Sequence, residues 1–192
     1  MKKNLFKMQH KVLLVKMLKP LILLSSAMFF SLSPFVQADN PQPMAAIKNL
    51  QEGESFLATN KKKHGVKTLP SGLQYKVLKE GKGQSPVATD YVTVNYRGTF
   101  INGQEFESSY KTKQPAIFAV NKVIPAWKEA LELMKPGAKW IIYSPPSLAY
   151  GENGVPPAIG PNTTLVFEIE LLSVKSSGED KTGVVQDSEN MD

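Results

Sequence analysis

The stretch TTLVFEIELLSV, residues 163–174, alternates large apolar residues with polar ones. Its apolar positions are Leu165, Phe167, Ile169 and Leu171. Successive side chains of a β-strand point to opposite faces, so Glu168 and Glu170 fall on the face opposite to these four. This period of two predicts a strand with one buried face and one solvated face.

Earlier stretches have the same character. In YVTVNYRGTF, residues 91–100, Val92, Val94 and Tyr96 alternate with polar residues. The Asn102-Gly103 pair predicts a hairpin turn that leads into QEFESS, residues 104–109. The remaining predicted strands are LQYKVLKEG at 73–81, AIFAV at 116–120 and AKWIIYS at 138–144.

One helix interrupts these strands, and another precedes them. VIPAWKEALELMKPG, residues 123–137, aligns Trp127 with Leu131 and Met134, which predicts about three turns that end at Pro136-Gly137. Residues 44–63, MAAIKNLQEGESFLATNKKK, also have helical spacing. Strands without regular β-α alternation favour an α+β fold. We therefore predict an antiparallel sheet curled around one short helix, preceded by a short N-terminal helix.

The two ends of the chain differ from this central part. Residues 1–38 contain six lysines and no acid, and from Asp39 onward 17 basic residues balance 17 acidic ones, so the chain's basic charge does not indicate a nucleic-acid partner. The apolar run within 21–36 is shorter than the ~20 residues of a spanning helix, which favours a signal peptide cleaved after Ala38. A start at Met17 stays open. The polar segment 176–192 predicts a disordered acidic tail.

Several chemistries lack the residues they need. The chain has no cysteine, and His64 is the one histidine beyond the predicted leader, which removes thiolate sites and most histidine-based catalysis and metal binding. We predict no metal and no cofactor. Glu105 and Glu107 alternate on one predicted strand, which fits either a glycosidase-like carboxylate pair or a solvated strand face, and the solvated face is the favoured interpretation.

Aromatic residues are the remaining candidates for function. Most of them have strand or helix spacing and are expected in the core. Tyr150 differs, because it lies in SPPSLAYGENGVPPAIGP, residues 144–161, where no period directs it inward. Tyr150 is therefore a candidate to bind a ligand through its hydroxyl.

Four motifs together resemble one family. They are VNYRG at 94–98, VIPAW at 123–127, LAYG at 148–151 and TLVFEIELLSV at 164–174. The chain resembles the FKBP-type peptidyl-prolyl cis-trans isomerases, in particular the exported bacterial Mip-like and FkpA-like branch. The resemblance covers residues 69–175 and implies a strongly curved antiparallel sheet wrapped around a short helix. Together with the signal peptide at 1–38 and the acidic tail at 176–192, it divides the chain into an N-terminal extension and linker helix at 39–68 and an isomerase domain at 69–175.

The resemblance also implies an apolar pocket with Trp127 as its floor. Its implied walls are Tyr96, Phe106, Val123, Ile124, Ile159 and Phe167. The Tyr150 hydroxyl and the Ile124 backbone N–H would bind substrate carbonyls. At the rim the chain departs from the family, which has an aspartate at the position of Glu107, in many eukaryotic members a phenylalanine at that of Ala116, and larger groups at those of Val155 and Ala158.

The predicted function is acceleration of X-Pro bond rotation in unfolded or exported polypeptides. The predicted location is the periplasm, without a stable membrane anchor, and association with the outer membrane or secretion stays open. Macrolides such as rapamycin or tacrolimus are further implied ligands. A non-catalytic chaperone or peptide-binding module is the alternative, as is a purely structural role of the aromatic residues. A monomer is favoured over a dimer formed through residues 40–66.

Overall fold

The structure is a computed structural model, which describes residues 41–177. All of them belong to one compact unit. The predicted signal peptide and nearly all of the predicted acidic tail lie outside the described residues.

A seven-stranded antiparallel sheet forms the body of the protein. Its strands are β1 (Val66–Thr68), β2 (Gln74–Lys79), β3 (Tyr91–Phe100), β4 (Glu105–Ser108), β5 (Ala116–Ala119), β6 (Lys139–Ser144) and β7 (Leu165–Lys175). They are ordered β1-β2-β6-β7-β3-β4, and β5 pairs with the first half of β3. The sequence predicted every strand except the short β1.

Alternation along β3 and β7 creates the buried face of the sheet. Leu165, Ile169 and Leu171 are fully buried, as the period of two predicts, and Phe167 exposes 3%. Val92 and Val94 of β3 are also fully buried. The two strands pair along ten registered positions, so their inward residues form one continuous apolar surface.

The helix α2 (Pro125–Leu131) packs against this surface. Its buried residues are Ala126, Trp127, Ala130 and Leu131. It has seven residues, about two turns rather than the three predicted, because the chain leaves the helix at Glu132 ahead of Pro136 and Gly137. Met134 is nevertheless fully buried. The α+β fold predicted from the sequence is confirmed.

The helix α1 (Pro41–Asn60) begins and ends three residues earlier than predicted. Its last turn packs on β2 and β6: the Asn60 amide donates to Gln74 Oε1 over 3.0 Å, and the Phe56 ring lies 5.9 Å from that of Tyr143. The helix ends at Asn60, so the lysine run 61–63, predicted to be its last turn, lies beyond it. Within 41–177 neither helix is long and apolar enough to cross a membrane.

Candidate functional site

A cavity of about 350 Å³ opens between α2, the sheet and the long β6–β7 loop, residues 145–164. It is lined by Tyr96, Glu107, Phe118, Lys122, Val123, Ile124, Trp127, Tyr150 and Phe167. Its size is within the range of small-molecule sites, roughly 300–1,000 Å³. Seven of the twelve residues predicted from the sequence lie in this lining.

Trp127 forms the floor of the cavity. It exposes 4% of its surface and is surrounded by rings from three strands. Tyr96 of β3, Phe118 of β5 and Phe167 of β7 meet it edge-on, with ring centroids 5.1, 5.6 and 5.6 Å away. Such edge-to-face contacts are the favoured geometry of aromatic pairs. The floor is therefore contacted by rings from three different strands.

Two lining residues were missed from the sequence. Phe118 lies two positions after Ala116 on β5, so both point to the same face, and its ring contacts both Trp127 and Tyr96. Strand periodicity could have found it, because the same alternation had identified the inward residues of β3. Lys122 directly precedes Val123, and no pattern in the sequence marks it.

Phe106 supports the wall of the cavity without lining it. Its ring lies edge-on to Phe167 at 5.8 Å and tilted against Phe100 at 5.2 Å. Gly98 makes this position available, because a Cβ there would lie 2.6 Å from a ring carbon of Phe106. The VNYRG motif thus contributes a glycine that leaves space for an aromatic ring.

Glu107 reaches the phenol of Tyr96 despite the low exposure of that ring. The Tyr96 hydroxyl donates to Glu107 Oε1 over 2.8 Å. Burial, then this hydrogen bond and the charge of Glu107, raise the pKa of Tyr96 far above its ordinary value of 10.0. The phenol therefore stays protonated at physiological pH and fixes the ring beside Trp127.

Tyr150 lies on the β6–β7 loop and exposes 36% of its surface. Backbone bonds hold its neighbours: the Gly154 N–H donates to the Tyr150 carbonyl over 3.1 Å, and the Gly151 N–H donates to the Pro146 carbonyl over 2.9 Å. Burial, and then the charge of Glu107, raise the pKa of Tyr150. Its hydroxyl has no hydrogen-bond partner among the described residues, so it is available to a ligand.

Ile124 supplies a second available donor. It precedes α2, where its carbonyl accepts from the N–H groups of Trp127 and Lys128. Within the described chain its own N–H has no acceptor. The cavity therefore combines an aromatic floor with two hydrogen-bond donors, one from a side chain and one from the backbone.

Four other predicted site residues lie outside the lining. Ile159 exposes 5% and belongs to the core, because its backbone pairs with Val155 and turns its side chain beneath the loop. Val155 and Ala158 are exposed on the outer part of the loop. Ala116 borders a separate groove that shares Tyr96 and Glu107 with the cavity.

Comparison with known families identifies the class of protein. Residues 82–172 match the family model described as FKBP-type peptidyl-prolyl cis-trans isomerase. Residues 27–77 match the domain amino-terminal to FKBP-type peptidyl-prolyl isomerase. A 1.6 Å crystal structure of a peptidyl-prolyl cis-trans isomerase from Pseudomonas syringae has a TM-score of 0.64 and 39% identity, covering 68% of this chain and 96% of that chain. The chain belongs to the FKBP-type peptidyl-prolyl cis-trans isomerase family.

Individual relatives place it in the Mip-like and FkpA-like branch. It is 59% identical over 127 residues to peptidyl-prolyl cis-trans isomerase Mip of Coxiella burnetii, covering 66% of this chain and 55% of Mip. It is 47% identical over 130 residues to FkpA of Escherichia coli K12, covering 68% and 48%. The crystal structure of Escherichia coli FkpA has a TM-score of 0.69 at 45% identity, covering 71% of this chain and 63% of that chain. The chain spans about half the length of these two curated relatives.

Proposed function

We propose that this protein accelerates cis-trans rotation about X-Pro bonds. The observation that carries the proposal is the cavity floored by Trp127, whose lining includes Tyr150 and Ile124, two residues with hydrogen-bond donors unengaged within the described chain. The floor offers a proline ring an apolar aromatic surface. The two donors offer partners to the carbonyls that flank it.

The physical problem is the partial double bond of the peptide. Resonance creates a rotational barrier of about 18–20 kcal/mol, so uncatalysed cis-trans isomerisation of an X-Pro bond takes roughly tens to hundreds of seconds. Twisting ends the resonance and lowers the charge separation of the amide. An apolar cavity that excludes water disfavours the planar, charge-separated form more than the twisted one, and so binds the transition state preferentially.

The residues of the site suit this mechanism, since rotation requires neither a covalent intermediate nor proton transfer. Trp127 and Phe167 provide the apolar surface, and Tyr96, hydrogen-bonded to Glu107, holds one side of it in place. Tyr150 and the Ile124 N–H would orient the substrate chain. Each 1.36 kcal/mol removed from the barrier gives about a tenfold rate increase, so a few contacts are sufficient.

The substrates that we propose are proline-containing segments of unfolded or exported polypeptides. The proposed location is the bacterial periplasm, on the strength of the lysine-rich and then apolar leader in the sequence. A Legionella longbeachae relative, 49% identical over 132 residues, is named outer membrane protein MIP, in keeping with export. A macrolide such as rapamycin or tacrolimus would occupy the same cavity and compete with substrate.

We propose a monomer, and the alternative is a dimer formed through residues 40–66, which one observation favours. Met44, Ile47 and Leu50 of α1 expose 67%, 52% and 39% of their surfaces and form an apolar stripe at helical spacing. Light scattering of the folded protein distinguishes a monomer mass from twice that mass.

A protease-coupled assay tests the proposed activity. An X-Pro peptide that is cleaved only in its trans form should react several-fold faster with micromolar protein than with buffer, and an excess of a second proline peptide should suppress the gain. If folded protein binds the peptide without raising the rate, the non-catalytic peptide-binding module is the correct function.

A further inference from the structure

The helix α1 contacts the base of the β6–β7 loop in addition to β2 and β6. The Asn49 side-chain Nδ2 donates to the Pro161 carbonyl over 2.8 Å and contacts Thr163 Oγ1 at 3.3 Å. One turn later, Gly53 is buried against Thr164, and a Cβ on Gly53 would collide with the Thr164 side chain. The absence of a side chain at Gly53 therefore lets the helix approach closely enough for Asn49 to reach the loop.

These contacts belong to one stripe of α1. Asn49, Gly53, Phe56 and Asn60 follow one another at intervals of four, three and four residues, which places them on the same helical face. The lower half of the stripe contacts β2 and β6 through Phe56 and Asn60. Because Phe56 and Asn60 anchor one end of the stripe to the sheet, Asn49 at the other end reaches the loop from a fixed position.

A short chain of hydrogen bonds joins Asn49 to the cavity. Asn49 holds the carbonyl of Pro161, and the next residue, Asn162, donates its N–H to the Gly151 carbonyl over 2.8 Å. Gly151 directly follows Tyr150. Thr163 also donates its hydroxyl to the Gly160 carbonyl over 2.8 Å, which closes the base of the loop around the Asn49 amide.

Within the described chain, the hydrogen bonds that connect residues 146–163 to elements outside the loop come from one residue. Among the described residues, both hydrogen bonds that join 146–163 to an element outside the loop come from Asn49. The loop also packs apolar residues, including Leu148 and Ile159, against the core. Apolar burial holds the loop against the core but is non-directional, so it does not fix the orientation of the loop. Hydrogen bonds have a preferred geometry and do fix it.

We propose that Asn49 is a positioning residue, which sets the orientation of Tyr150 through the base of the β6–β7 loop. This inference rests on the proposed isomerase function for its kinetic consequences. In this arrangement α1 is a part of the site's support, although it contributes no residue to the cavity lining.

The experiment compares Asn49→Ala with Gln51→Ala in the full chain. Gln51 is an exposed amide on the same helix and makes no hydrogen bond to the loop, so it is the matched control. Loss of one positioning hydrogen bond should lower kcat/KM roughly three- to tenfold. Gln51→Ala should retain the activity of the unaltered protein. If the alanine variant folds poorly, Asn49→Asp replaces it, because aspartate keeps the size of the side chain but loses the donor. Asn49→Asp should then lower kcat/KM by the same factor.

A double-mutant cycle separates positioning from general stability. If Asn49 acts through Tyr150, then Asn49→Ala should change kcat/KM very little in a protein that already carries Tyr150→Phe. If the double variant loses kcat/KM by the product of the two single-variant factors, the proposal is overturned, because Asn49 would then act independently of the Tyr150 hydroxyl.

Amide hydrogen exchange gives an answer that does not depend on activity. The Asn162 N–H, which bonds to the Gly151 carbonyl, should exchange faster in Asn49→Ala, and the remote Gly137 N–H, which bonds to the Leu171 carbonyl, should not change. An unchanged exchange rate at Asn162 would overturn the proposal that Asn49 positions the loop. If the unaltered protein shows no isomerase activity, the proposed function fails, and this exchange result alone decides whether Asn49 positions the loop.

Discussion

Trp127 at the floor of the cavity exposes 4% of its surface, whereas Tyr150 at its edge exposes 36%. The floor is held by side chains, since aromatic rings from β3, β5 and β7 meet Trp127 edge-on. The edge is held by backbone bonds within the β6–β7 loop and by Asn49 of α1. In the floor, binding and stability therefore depend on the same residues. At the edge they can be separated.

The largest expected effect is at the floor. Trp127→Ala should lower the free energy of unfolding by about 3–5 kcal/mol, because it leaves a cavity among three rings, and it should abolish isomerisation. Urea unfolding and the coupled assay measure the two quantities. Trp140→Ala is the matched control: this second buried tryptophan stacks on Tyr75 at 4.5 Å and does not line the cavity. It should lose stability comparably, while the folded fraction retains its kcat/KM.

The wall behind the floor is the next most sensitive region. Gly98→Ala should lower the free energy of unfolding by about 1–3 kcal/mol, because the new methyl group overlaps the Phe106 ring. Denaturant unfolding measures this loss. Adding Phe106→Leu should recover a part of it, and a double variant as unstable as the sum of the two single ones would show that the overlap is not the cause.

The edge should separate turnover from stability. Tyr150→Phe removes a hydroxyl that has no partner in the described chain, so the unfolding free energy should change by less than about 0.5 kcal/mol. Loss of one hydrogen bond to substrate should lower kcat/KM roughly three- to tenfold. Tyr91→Phe, at an exposed position outside the cavity lining, is the control and should leave both quantities unchanged. An unchanged kcat/KM in Tyr150→Phe would remove the hydroxyl from the mechanism.

The smallest expected effect is that of alkaline pH. The pKa values of Tyr96 and Tyr150 are both raised, first by burial, so neither phenol should ionise below about pH 9. Turnover should not report a tyrosine titration between about pH 7 and 9. The folded state binds the Tyr96 proton more tightly than the unfolded state, so this stabilisation is complete below about pH 10 and is lost as the pH rises further. A tyrosine-dependent fall in kcat/KM near neutral pH would contradict this account.

The same contrast explains which parts could be predicted from the sequence. Strand periodicity placed Val92, Val94 and Phe167 in the core, and helical spacing placed Trp127, because burial imposes these periods. Tyr150 was recognised because it lacks a period.

Non-local contacts were beyond the sequence pattern. The turn that buries Ile159 beneath its loop depends on a backbone pairing with Val155. The bond between Asn49 and Pro161 joins residues 112 positions apart. Phe106, predicted to be a pocket wall, lies behind Phe167 because of the space left by Gly98. Such arrangements follow from packing in three dimensions and leave no period in the sequence.

The central claim is that this cavity both binds proline peptides and lowers their rotational barrier. Exchange NMR on one X-Pro peptide, with and without the protein, tests both parts in the same sample. We expect cis-trans exchange much faster than the uncatalysed time of about tens of seconds or more, together with shift changes at Ile124, Trp127 and Tyr150. Shift changes at these residues with exchange no faster than in buffer would contradict the claim and leave a peptide-binding module.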